Sequence, residues 1–406
     1  MKNLFTPAQI LLPDLSPNDP AWEKWSVIAC DQFTSEIEYW ESAERIVDGA
    51  LSTLDYILPE AYLETPRAQE AEARIKRKMN DADECLKRYE NSMIYVERTL
   101  PDGKVRKGIV GKIDLQEYDF TDNPTAAVRA TEKTVVERIP PRVAVRKEAT
   151  IEFPHVMLFA DDAECPFIAP LSARKQYMEK VYDFPLMLGG GSIVGYRICG
   201  DELERLEKAI GEYEKSRGTG AVYAVGDGNH SLASAKTHYE NIKKELGAAA
   251  ENHPARYALV ETVSLSDESI AFEPIYRILK NCDTERFFAL LSQSCDEGKR
   301  VSAITCDGER EVTFPDTHPL TVGALQQYID DYIGKNPDVV CDYIHGEEAL
   351  KNLSGAEKAV GFLFEGIRKD ELFDYVTKNG VLPRKTFSMG EAKSKRYYLE
   401  ARKIVR

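Results

Sequence analysis

A chain of 406 residues, 43% hydrophobic and 30% charged, is long for a single core and too apolar to default to disorder, so two or three packed substructures are expected. A formal net charge of −15 repels nucleic acid and anionic membrane, so neither is expected as a partner. A small anionic substrate would need a locally basic site.

The chain opens on Met1-Lys2-Asn3-Leu4-Phe5-Thr6-Pro7, without a basic then apolar leader. No stretch approaches the ~20 apolar residues that span a bilayer, and a cytoplasmic location is expected. Pro13, Pro17 and Pro20 break up the start, and 25–30 reads as a short buried strand. Thr34 or Ser35 is placed to cap a helix through Trp40 and Ile46. Residues 59–89 are rich in Ala, Glu, Arg and Lys and read as helix. Strands at 92–99 and 104–113 flank a Pro101-Asp102-Gly103 turn and read as a hairpin. Ile139-Pro140-Pro141-Arg142 reads as non-helical. A strand at 156–160, a helix at 173–182, the Gly189-Gly190-Gly191-Ser192 turn and a strand at 193–199 follow. Next come a helix at 202–215, a strand at 221–225, and a helix with Leu232, Ala235, Tyr239, Ile242 and Leu246 at helical spacing. After a strand at 257–263, helices at 284–294, 322–332 and 369–378 interleave with strands at 339–344 and 360–364, and 397–401 reads as a closing strand. Hairpins mixed with alternating elements imply an α+β fold with mixed sheets and packed helices, not a doubly wound sheet. The division expected is 1–265 and 266–406.

Gly226-Asp227-Gly228-Asn229-His230-Ser231, between a strand and a helix, is the most informative local pattern. Its glycines permit a sharp turn and close backbone approach, and the helix start supplies unpaired N–H donors and partial positive charge, together a phosphate grip. Gly228, Asn229, His230 and Ser231 are the candidate nucleotide-binding residues. Asp227 is the candidate Mg²⁺ ligand or base, and His230 a proton carrier or donor. The competing reading makes Asn229 a plain cap and His230 a surface residue. The Gly189–Gly191 run lacks the residues of a phosphate-binding Walker loop and reads as a tight linker. Eight cysteines include no Cys-x-x-Cys pair, so reduced structural thiols are expected; Cys30 reads as a half-buried bystander before a nucleophile. The six histidines are dispersed and spell no metal motif. Two basic islands stand out. Arg129, Lys133, Arg138, Arg142, Arg146 and Lys147 face Glu132 and Glu137, and Arg384, Lys385, Lys393, Lys395, Arg396, Arg402, Lys403 and Arg406 face Glu391 and Glu400.

The Asp227-Gly228-Asn229-His230-Ser231 box, with Ala233 and Ala235, resembles that of the longer bacterial branch of the family known as domain of unknown function 1015. Ile28 to Ser35, Arg129-Ala130-Thr131-Glu132, Arg138 to Arg142, Phe153-Pro154-His155-Val156-Met157, Tyr182-Asp183-Phe184 through Gly191, Phe272 to Arg277, Tyr343 to Gly346 and Leu382 to Met389 are similar to it in the same order. The box is also distantly similar to that of the ParB/sulfiredoxin superfamily, which includes free-serine kinases. The resemblance implies a ParB/sulfiredoxin-like nucleotide-binding core with an additional α/β substructure. It also implies phosphoryl transfer between ADP/ATP, with Mg²⁺, and a small hydroxyl metabolite, phosphoserine and serine first. Ser231 stands where an Arg is common, so Arg142, Arg146 or Arg384 would have to supply the missing charge. Glu132, with Asp227 and His230, completes the catalytic candidates. Asp31, Arg129, Arg138, Arg142, Arg384 and Lys385 are the substrate-binding candidates. A metal-assisted phosphomonoester hydrolase and a non-catalytic nucleotide- or metabolite-binding regulator stay open as alternatives, and so does a homo-oligomer.

Overall fold

The computed structural model describes residues 3–63, 65–79, 82, 84–122 and 124–405, with Arg138 described by its backbone alone. The fold is α+β with mixed sheets. Two compact units form: 1–270 together with 391–406, and 271–390.

The first unit is built on an eleven-stranded sheet. Its order runs Tyr118–Asp119, Val128–Arg129, Tyr223–Asp227, Met157–Ala160, Tyr257–Ser264, Val105–Asp114, Leu86–Thr99, Ser192–Ile198, Glu179–Pro185. Phe5–Thr6 and Ala8–Pro13 pair with Val105–Asp114 and Leu86–Thr99. Val128–Arg129 runs parallel to Tyr223–Asp227, and Met157–Ala160 parallel to Tyr257–Ser264. The long Leu86–Thr99 and Val105–Asp114 hairpin closes through Leu100 N–H to Lys104 O (2.8 Å) over the Pro101-Asp102-Gly103 turn. The core gathers Trp22, Trp25, Trp40, Tyr62, Tyr182 and Leu399, all buried.

The terminal segment belongs to this core, so the 266–406 grouping is corrected: the division falls after residue 270, and 391–406 returns to the first unit. Backbone pairing and burial explain the return. Leu11 and Ala401 exchange both backbone bonds (2.8 and 2.9 Å), Tyr398 N–H meets Val27 O (2.7 Å), and Trp25 Nε1–H meets Leu399 O (2.9 Å). The closing strand is therefore a set of single bridges, followed by a short Arg402–Lys403 pairing with Ile151–Glu152.

Other departures have equally local causes. The 59–89 helix is shortened to Arg67–Met79, because residues 86–89 are extended by pairing with the N-terminal strand. Ile139–Lys147 is helical after all, since Pro140 and Pro141 occupy its first turn, where no backbone donor is required. The 173–182 region is a 3₁₀ helix, Ala169–Tyr177, followed by strand Glu179–Pro185. At 25–30 the helix Ala21–Trp25 ends and only Ile28 bridges, to Tyr397. Helix Ile37–Val47 starts at Glu36 with no side-chain cap from Thr34 or Ser35.

The second unit carries a six-stranded sheet in the order Gly308–Pro315, Gly298–Thr305, Val360–Leu363, Glu273–Lys280, Val340–His345, with Phe387–Ser388 beside Glu273–Lys280. Helices Thr284–Ser294 and Thr321–Lys335 bury Phe287, Leu325 and Ile329 against it. Among the described residues, no helix is long and apolar enough to cross a membrane.

Candidate functional site at the Asp227 turn

Strand Tyr223–Asp227 lies inside the large sheet, and Tyr223, Ala224 and Val225 are fully buried. Its run of apolar residues follows from burial on both faces. The register against Met157–Ala160 slips between Val225 and Asp227, which turns the strand end out of the ladder. Gly228 then adopts φ +83°, ψ 27°, and a Cβ there would sit 3.0 Å from Val156 Cα. Only glycine fits that conformation without strain at that distance. Helix Asn229–Leu246 begins at once, with Leu232 N–H to Gly228 O (3.0 Å) as its first bond and no side-chain cap. Leu232, Ala235 and Tyr239 are buried, whereas Ile242 is half-buried and Leu246 exposed, so the helix leaves the core in its last two turns.

Polar side chains from several segments meet at this helix start. Asp227 Oδ1 accepts from Gly228 N–H (2.9 Å), and its Oδ2 lies 3.4 Å from Lys395 Nζ. Ser231 Oγ is 3.2 Å from His155 Nε2, whose ring also lies 3.9 Å from Asp31 Oδ2. Burial pushes the Asp31 carboxyl up, but His155, a hydrogen bond from Gln32 and Lys395 outweigh it and hold it below the usual carboxylate range. His230 Nε2 accepts from Val135 N–H (3.2 Å), which leaves Nδ1 as the nitrogen that carries a proton in the neutral ring. Asn229 Oδ1 is buried without a hydrogen-bond partner.

Lys395 owes its place to buried arginines. Arg98 donates to the carbonyls of Lys395 (3.2 Å), Lys393 (2.9 Å) and Gly190 (2.7 Å), and Arg106 to that of Ser394 (2.9 Å). Arg396 pairs with Glu261 (3.0 Å) and Glu400 (2.7 Å). Burial, then the neighbouring Arg106, pulls Arg98 down to about 9. Three buried guanidinium groups thus share the buried carboxylates Glu261 and Glu400, and the strap that carries Lys395 rests on a cationic base.

The remaining candidates fall in different places. Asp31 joins the cluster. Glu132 is half-buried just beyond Thr131, whose hydroxyl donates to Val225 O (2.6 Å) on the site strand. Arg129 is buried, with Nε–H donating to Ala126 O (2.8 Å), and burial lowers its pKa. The Arg138 side chain lies outside the described residues. Arg142 is paired with Glu60, and Arg146 with Glu152, so the charges expected to replace the missing Arg are matched by carboxylates. Arg142, Arg146, His155, Ser231 and Tyr398 line one cavity of about 200 Å³. Arg384 and Lys385 belong to the second unit, where their carbonyls accept from buried Arg277 (both 2.8 Å). Burial, then Asp31, pushes the Cys30 thiol up to about 12, which disfavours the thiolate a nucleophile needs.

His155, Tyr398 and Lys395 were not among the residues picked from sequence. Lys395 lay inside a basic island, and His155 inside a matched segment, but nothing local set either apart. Among the described residues, no group of three or more His, Cys, Asp or Glu side chains is arranged to hold a metal ion.

Residues 15–403 match the model of the family described as protein of unknown function, DUF1015. The chain belongs to this family. Among curated proteins none matches it. Solved structures similar to it include a conserved hypothetical protein from Pyrococcus furiosus, at 13% identity and a TM-score of 0.34, with 73% of this chain and 92% of that one covered. A free serine kinase in complex with AMP is similar at 10% identity and a TM-score of 0.38, over 73% and 92%. A C-terminally truncated SbnI from Staphylococcus aureus is similar at 10% identity and 0.35, over 69% and 83%.

Proposed function

We propose that this DUF1015 chain is a phosphotransferase that moves a phosphoryl group between a nucleotide and a small hydroxyl metabolite. The observation that carries the reading is the convergence of Asp227, Lys395, His155 and Ser231 on an uncapped helix start. Phosphoryl transfer asks a protein mainly for positioning and charge neutralisation. The first-turn amides and Lys395 would hold phosphate oxygens, with the positive end of the helix behind them. Asp31, kept ionised beside His155, would meet a cationic group of the metabolite, such as an amine.

Mg²⁺ fits this donor set in one way only. It takes one or two carboxylates and completes its shell with phosphate and water, and Asp227 offers one carboxylate oxygen beside the phosphate grip. A bound ion would neutralise phosphate charge during transfer. Phosphoserine and ADP are the pair to test first, following the family resemblance. With Mg²⁺, a luciferase-coupled assay should detect ATP in the wild type, with Asp227→Asn and His230→Ala each lowering the rate roughly 10²-fold or more. Phosphate release without any need for ADP would replace this reading with a hydrolase. Nucleotide binding by calorimetry with no product would replace it with a regulator.

A further inference from the structure

The His155 ring is held at both nitrogens, by Ser231 at Nε2 and by Tyr398 at Nδ1. Tyr398 Oη accepts the backbone N–H of Cys30 (3.3 Å), and its own hydrogen is directed at Cys30 Sγ (3.2 Å). Tyr398 Oη also lies 2.9 Å from His155 Nδ1, and the hydroxyl accepts there when Nδ1 carries the ring proton. In that tautomer the neutral ring presents a lone pair at Nε2. That lone pair faces Ser231 Oγ at 3.2 Å. The Asp31 carboxylate, 3.9 Å from the same nitrogen, would stabilise the ring once it is charged.

Ser231 is the third residue of helix Asn229–Leu246. Its hydroxyl caps nothing, and it sits in the turn whose amides have no partner within the helix. A hydroxyl with an oriented base on one side and helix-start amides on the other has the arrangement of an activated nucleophile.

We propose that Ser231 is a covalent phosphoryl acceptor, with His155 as its base and Tyr398 as the residue that positions His155. The proposal rests on phosphoryl transfer at this turn and makes that transfer a two-step reaction. In the first step His155 Nε2 takes the Oγ proton while Oγ bonds to phosphorus. The bond from phosphorus to the metabolite oxygen breaks, and that oxygen leaves as the free alcohol with the proton from His155. In the second step an oxygen of the nucleoside diphosphate attacks the phosphorylated Ser231. The bond from phosphorus to Oγ breaks, and Oγ recovers a proton drawn from solvent through His155.

Partial exchange tests this. The full chain is incubated with phosphoserine, isotopically labelled serine and Mg²⁺, without nucleotide. The result expected is label entering phosphoserine, and a single phosphoryl group found by mass spectrometry on the peptide that contains Ser231. Ser231→Ala, a small change in a half-buried side chain, should abolish both. Tyr398→Phe should slow exchange and shift its pH profile, because His155 Nδ1 loses its acceptor. ATP formation from phosphoserine and ADP at the wild-type rate by Ser231→Ala, or without exchange in the wild type, would mean direct transfer and overturn the proposal while leaving the phosphotransferase reading intact. Neither exchange nor ATP formation would overturn both.

Discussion

Replacing Gly228 with Ala tests whether the turn is held by close approach of two backbones. At φ +83° a residue with a Cβ costs roughly 1–2 kcal/mol. The new Cβ would stand 3.0 Å from Val156 Cα and 3.1 Å from Val156 Cγ2, and Val156 is buried, so the main chain on one side must shift. Such crowding adds about 1–3 kcal/mol. Gly218→Ala is the control, since Gly218 has φ +58° but nothing within 4 Å of where a Cβ would stand, which leaves only the conformational part. Urea denaturation followed by tryptophan fluorescence reports the relevant unit, because Trp22, Trp25 and Trp40 all lie in it. Gly228→Ala should lose about 2–5 kcal/mol and the helix start should lose its ligand, whereas Gly218→Ala should lose about 1–2 kcal/mol and keep it. Equal midpoint shifts, with phosphate or nucleotide binding unchanged in Gly228→Ala, would refute the close-approach argument.

Lys395→Met removes the cation beside Asp227 and should raise KM for the phosphorylated substrate roughly 10–100-fold, the worth of a charge-assisted bond of about 1.5–3 kcal/mol; steady-state kinetics at constant ionic strength reads it. Arg396→Met strands buried Glu261 and Glu400 and should destabilise the first unit by about 3–5 kcal/mol in urea titration. His238 is pulled from 6.5 down to about 4 by burial, then by Arg146 and His253. The unfolded chain therefore binds a proton that the folded chain refuses between those values, and stability should fall as pH drops from 6.5 to 4. His238→Gln should flatten that part of the pH–stability curve, measured by urea midpoints; an unchanged curve would contradict the assignment.

The parts of the fold legible in sequence were those whose local pattern agrees with their surroundings. Helix Thr284–Ser294 has an Asp283 cap and buries Phe287, Phe288 and Leu291, so spacing and capping give the same answer. The Asp227 turn was legible for a similar reason: a buried strand, two glycines and an amphipathic helix are contiguous. What was not legible depends on contacts between distant residues. Residues 86–89 have the composition of a helix and are extended because Ala8–Pro13 pairs with them. Arg142 looked available, but Glu60, far away in the chain, pairs with it. Lys395 is far from Asp227 in the chain and reaches it only because Arg98 and Arg106 hold its strap by backbone carbonyls. His155 is oriented by Tyr398, which the returning terminal segment brings back beside Cys30.

The most direct test of the central claim is phosphorus NMR of the wild type and Asp227→Asn with serine, ATP and Mg²⁺. The account predicts that the γ-phosphate signal of ATP falls in the wild type as a phosphomonoester signal rises in equal amount, with neither change in Asp227→Asn. Equal rates of phosphomonoester formation in the two proteins, or no phosphomonoester signal in the wild type, would contradict phosphoryl transfer at the Asp227 turn.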